Sequence, residues 1–133
     1  MTFSPAAADT IINFFKDTNT KPHDFDAIFT GDLGLVGSEC LYNLALRENF
    51  DLKPFHKDCG CMIFDCASQD VHAGGSGCGC SAAVLASYIM HRFEDKSFKN
   101  ILFISTGALL SPTSSFQGES IPSIAHLINI KKQ

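Results

Sequence analysis

Hydrophobic and polar positions alternate along the chain in two rhythms. Behind Ser4-Pro5, a hydroxyl cap followed by proline at the first helical position, Ala8, Ile11, Ile12 and Phe15 recur at helical spacing, and this predicts a helix to about Asp17. "TNTKPHD" breaks that pattern with polar turn formers. "FDAIFTG" then reads as a short buried strand stopped by glycine. From Val36 to Glu48, Cys40, Leu41, Leu44 and Ala45 take one side while Glu39, Asn43 and Arg47 take the other, which predicts an amphipathic helix lying on a sheet. The apolar run from Cys61 to Phe64, set between aspartates, predicts a second strand. "NILFIS" predicts another strand and "SIAHLINI" a last one of mixed burial, in which His126 alternates with Ile124 and Ile128 as a residue at the edge of the core. Between them "TGALLSPTSSFQGESIP" is a long loop, of a length that in compact domains usually carries function or lacks order. Helices alternating with strands imply an α/β fold.

The predicted helix from Ser81 to Phe93 stands apart. Ala82, Ala83, Val84, Leu85, Ala86, Ile89 and Met90 leave only Ser87, His91 and Arg92 plainly polar, the pattern of a helix buried on all sides. One sheet covers one face, so something else must cover the other. The 133 residues otherwise fit one domain, residues 1–133. A net charge of -4 without a basic stripe argues against nucleic acid, and no apolar window approaches the roughly 18 residues of a membrane span. The N-terminus has no positive region before its apolar residues, so the chain reads as soluble and unexported. In a reducing compartment the six cysteines are expected as free thiols. A zinc site would pair Cys59-x-Cys61 with Cys78-x-Cys80, or draw in His56 and His72, but structural zinc ligands usually stand two to four residues apart, so no metal is expected.

The richest candidate chemistry lies in "HAGGSGCGCSAAVLASYIM", His72 to Met90. Successive glycines let backbone approach a ligand closely, and free N–H groups at a helix start favour a carboxylate. The same glycines also suit a tight packing turn against a buried helix, and both readings stand at this stage. Cys78 and Cys80 near the helix start are either thiols of lowered pKa or small buried hydrophobes. Asp32, Asp58, Asp65 and Asp70 lack EF-hand spacing and read as caps and turns.

The stretches "FTGDLGLVGS", "DCGCMIFD", "QDVHAGGSGCGCSAAVLASYI", "LFISTGALLSP" and "QGESIPSIAHLI" resemble the stage V sporulation protein AD family of spore-forming bacteria, whose fold is that of thiolases and ketoacyl synthases. The family is more than twice as long and consists of two similar α/β halves. The resemblance therefore implies a thiolase-like C-terminal half, a mixed and mostly parallel sheet packed with helices, whose central helix is buried on all sides in the full-length family. It also implies that a first strand is lacking here. Thiolase-like enzymes place the nucleophilic cysteine in the N-terminal half, and where they usually carry a histidine after the strand "TGDLG" supplies Thr30, Gly31 and Asp32. A carboxylate there would repel a developing oxyanion. The resemblance thus implies a binding protein and not an enzyme, with no cofactor. Its implied ligand is dipicolinic acid, taken into the developing spore with its calcium through a membrane channel of other stage V sporulation A proteins. The implied place is the cytoplasm, at the spore inner membrane through those partners.

The ligand-binding residues expected are Asp32, His72, Gly75, Ser76, Gly77, Cys78, Cys80, Ser81 and Ser111, with Ser114, Ser115 and Gln117 in a pocket rim. An uncovered central helix would associate with a second copy or with the missing N-terminal half. Two rival readings are an acyl-transfer enzyme, with Cys80 or Cys78 as nucleophile and His72 or His126 as base, and a truncated piece that docks on another protein through an exposed apolar face.

Overall fold

The computed structural model describes residues 4–63, 68–70, 79–108 and 123–133. The chain runs α1 (Ser4–Thr18), a short 3-10 turn (Pro22–Asp24), β1 (Ala27–Thr30), α2 (Gly34–Arg47), β2 (His56–Asp58), α3 (Cys59–Ile63), α4 (Cys80–Val84), a π-helical turn (Leu85–Ile89), α5 (Met90–Glu94), β3 (Asn100–Ala108) and β4 (Ser123–Lys131). Four strands form one sheet in the order β2-β1-β3-β4. β1 pairs in parallel with both β2 and β3, while β4 runs antiparallel to β3, with Phe103 opposite Ile128. The α/β expectation is met, with a mostly parallel sheet packed by helices.

Strand periodicity divides the core in two. Ile28 of β1 and Leu102 and Ile104 of β3 face α1 and α2, where they meet Ala8, Ile11, Phe15, Leu41 and Ala45. Their neighbours Ala27, Phe29, Ile101 and Phe103 face the other way and pack on Cys59, Cys80, Val84 and Ile89. A central strand covered on both faces has no position facing solvent, and all four residues of β1 are buried, the polar Thr30 with its hydroxyl hydrogen-bonded to His56 and Asp58. On the α1 side the ring of Phe15 packs against those of Phe14, Phe25 and Phe50, with centroids 5.1 to 6.0 Å apart. The Ser4 hydroxyl is donated across to the Gly37 carbonyl at 2.8 Å, tying the start of α1 to α2.

Two expectations need correction. The strand expected from Cys61 to Phe64 is instead helical through Cys61–Ile63, because Asp58 caps this turn by accepting the Cys61 N–H; Phe64 lies outside the described residues. The strand of this region is the polar His56–Asp58 just before it. His126 is exposed and not at the core edge: on β4 it is Ala125 that is buried and Leu127 that packs toward the core on the α1 side. The helix expected from Ser81 to Phe93 is present as α4, the π turn and α5, and in this chain the sheet covers only one of its faces, as expected. Cys80, Val84 and Ile89 face the sheet, and Ala82, Ala83, Ala86 and Met90 are exposed.

Candidate functional site

At the carboxyl end of β1 and β2 a chain of hydrogen bonds links four side chains from three elements. The Thr30 hydroxyl donates to Asp58 Oδ1 at 2.6 Å, so its oxygen accepts from His56 Nε2 at 2.8 Å. With its proton on Nε2, the imidazole has a bare Nδ1, and this accepts the Tyr42 hydroxyl at 2.8 Å. His56 and Asp58 share one face because they stand two apart on a strand. Asp58 also accepts the backbone N–H of Leu33 at 2.8 Å and Gly34 at 3.1 Å, and that of Cys61 at 3.3 Å. One carboxylate thus serves the starts of both α2 and α3, where the helix dipoles favour negative charge. Burial holds the His56 imidazole down at about 4, against the opposing pull of Asp58, so it is neutral at ordinary pH. Burial likewise raises the Tyr42 hydroxyl, helped by Glu39, Cys61 and Asp58. Outside this staple a cavity of about 290 Å³ opens between Leu35, Glu39, Tyr42, Lys57 and Met62.

A second polar cluster lies beside it. A Cβ added to Gly60 would sit 2.1 Å from Asp32 Oδ1 and 3.1 Å from Asp58 Oδ2, so the two carboxylates flank one glycine and only glycine fits between them. The Asp32 N–H donates to Thr106 Oγ1 at 3.1 Å. A Cβ on Gly31 would meet Ser81 Oγ at 2.7 Å and Thr106 Oγ1 at 2.8 Å, which brings Ser81 of α4, Thr106 of β3 and the loop after β1 together. Asp32 and Ser81 are only half-buried. Cys80 packs with Cys59 in the apolar layer below. Burial, with Cys80, Asp58 and Asp32 nearby, pushes the Cys59 thiol up to about 12, so it holds almost no thiolate near neutral pH.

Three of the expected ligand residues, Asp32, Cys80 and Ser81, therefore converge at the carboxyl ends of β1 and β3. Cys80 takes part by packing, since it is buried at the first turn of α4. His72, Gly75, Ser76, Gly77, Cys78 and Ser111, with the rim residues Ser114, Ser115 and Gln117, lie outside the described residues. No group of three or more His, Cys, Asp or Glu able to hold a metal occurs among the described residues. Sequence reasoning missed Thr106 and the Tyr42–His56–Thr30 chain. The signal present was His56-x-Asp58, two titratable groups at strand spacing, hidden because the search for strands followed apolar runs.

Fold and site together define an α/β protein with polar side chains gathered at the carboxyl ends of its parallel strands, the place where open sheets of this kind receive ligands. The chain belongs to the family of Stage V sporulation protein AD (SpoVAD), which matches residues 1–131. It is similar to Stage V sporulation protein AD of Bacillus subtilis (strain 168), with 45% identity over 123 residues, 92% of this chain and 36% of the relative. The chain thus spans about a third of the length of that curated relative.

Proposed function

We propose that this chain supplies the part of a sporulation protein that binds dipicolinic acid, the family's implied ligand, during its uptake with calcium into the developing spore. The single observation that supports this reading is the convergence of Asp32, Ser81 and Thr106 on one half-open spot at the carboxyl ends of β1 and β3. In the proposed pose the hydroxyls donate to ligand carboxylates, and Asp32 faces the calcium that accompanies them. The role is one of binding without catalysis: Cys80 is buried in an apolar layer, and His126, a base considered for acyl transfer, is exposed on β4. The protein acts on the cytoplasmic side of the spore inner membrane, held there by the other stage V A proteins of the channel. In keeping with a peripheral role, no helix among the described residues is long and apolar enough to cross a membrane.

The test is isothermal titration of dipicolinate with calcium into a full-length chimera in which this chain replaces the matching third of the B. subtilis relative. Saturable heat that is lost in Asp32→Asn and weakened in Ser81→Ala is expected. Equal heat in all three proteins would overturn the assignment.

A further inference from the structure

At the opposite, amino end of β1 and β3 lies a feature that the proposed function does not use. Lys96, Lys99, Lys132 and Gln133 line a groove of about 370 Å³. Three chain segments build it: the turn after α5, the entry to β3 and the exit from β4. Backbone bonds fix them in place. Lys132 N–H donates to the Lys99 carbonyl at 2.8 Å, and Lys96, with a left-handed φ of 66°, closes the end of α5 by donating its N–H to Phe93. None of these three lysines makes a side-chain ion pair or hydrogen bond among the described residues. By contrast, Lys16 and Lys53 pair with Glu48 and Glu39, and Lys57 with the Tyr88 hydroxyl. The carboxylate of Asp26 accepts the backbone N–H of Lys99 and Asn100 and pairs with no lysine ammonium among the described residues, and Asp95 pairs with Arg92. Lys131 adds a further exposed cation on the adjoining strand end. In a chain of net charge -4, three unpaired ammonium groups around one concavity form a local reversal of sign.

We infer that this groove is an anion site that takes a phosphoryl group bearing at least two negative charges. Three ammonium groups that line one groove and pair with no side chain among the described residues repel one another, and a multivalent oxyanion seated there reduces that repulsion while accepting from them. The phosphoryl group comes either from a soluble phosphate compound or from an anionic lipid headgroup, and one experiment separates these sources. Pyrophosphate is titrated into the labelled full chain by NMR, and the same chain is sedimented with phosphatidylcholine vesicles with or without phosphatidic acid, whose phosphomonoester can carry two charges. Saturable shifts at Lys96, Lys99 and Lys132 with pyrophosphate are the expected result for a soluble source; sedimentation only with the vesicles that contain phosphatidic acid is the expected result for a lipid source. Lys99→Ala with Lys132→Ala should weaken binding by about 25-fold at low salt, taking about fivefold per exposed ion pair, and the loss should shrink as salt is added. Both substitutions leave the backbone bond between these residues intact. Lys99→Arg with Lys132→Arg should retain binding, which guards against a folding defect. Lys16→Ala with Lys53→Ala changes the net charge equally and should bind as the wild type does. Absence of both pyrophosphate shifts and vesicle binding would overturn the inference, as would an equal loss in the Lys16/Lys53 variant.

Discussion

Asp58 and Asp32 sit on either side of Gly60 and have opposite surroundings. Asp58 is 4% exposed and accepts a hydroxyl and three backbone N–H groups, the work of a carboxylate that holds two helix starts to a sheet. Asp32 is half-buried, stands on the loop after β1, donates its N–H to Thr106 and follows Gly31, which has Ser81 beside it. The closed carboxylate has its acceptor capacity spent on the fold, whereas the half-open one stands where solvent or ligand can reach it. Two residues of one type, flanking a single glycine, thus divide structure from proposed function.

The largest effect expected is on the closed side. Asp58→Ala leaves Thr30 and three N–H groups without their acceptor and should lower stability by about 4 kcal/mol, read by urea unfolding. A loss below about 1 kcal/mol would show that the staple is not what holds α2 and α3. Next comes pH. Unfolded His56 protonates near its ordinary 6.5 and folded His56 only near 4, so between these values the unfolded chain carries the extra proton. This contribution to stability is complete above about pH 6.5 and falls by up to about 3 kcal/mol as the pH drops to about 4. His56→Gln should flatten that slope in unfolding curves collected across the window, and an unchanged slope would assign it to other groups.

A smaller cost falls where the two clusters meet. Gly60→Ala puts a methyl group 2.1 Å from Asp32 Oδ1, and displacing that carboxylate should cost about 2 kcal/mol in thermal melts while weakening any ligand bound through Asp32. Smallest of all, Asp32→Asn should change stability by less than about 1 kcal/mol, since the Asp32 N–H bond to Thr106 survives. A loss as large as that of Asp58→Ala would erase the contrast between the two carboxylates.

Much of the fold is legible in the sequence. α1, β1, α2, β3 and β4 follow from spacing, because each presents an apolar face to one or both of the two core layers. The region from His56 to Ile63 is not legible in this way, since its inward residues on β2 are polar and are satisfied by Thr30, Tyr42 and helix starts far away in sequence. A hydrophobic pattern cannot see a strand held by such partners. The five residues of α3 are likewise too few for periodicity to separate helix from strand, and an Asp58 cap decides the matter. His126 was misplaced because alternation gives the phase of a strand without saying which phase faces the core. At the candidate site, Asp32 and Ser81 are legible through the family motifs that carry them. Thr106 is not, because only the β1–β3 register brings it beside Asp32.

The most direct test of the contrast is chemical-shift mapping of dipicolinate with calcium on the full-length chimera, isotopically labelled. The proposed function predicts perturbed amides at Gly31, Asp32, Ser81 and Thr106, with those of Tyr42 and Lys57 beside the 290 Å³ cavity unmoved. Perturbations centred on Tyr42 and Lys57, or none at all, would contradict it.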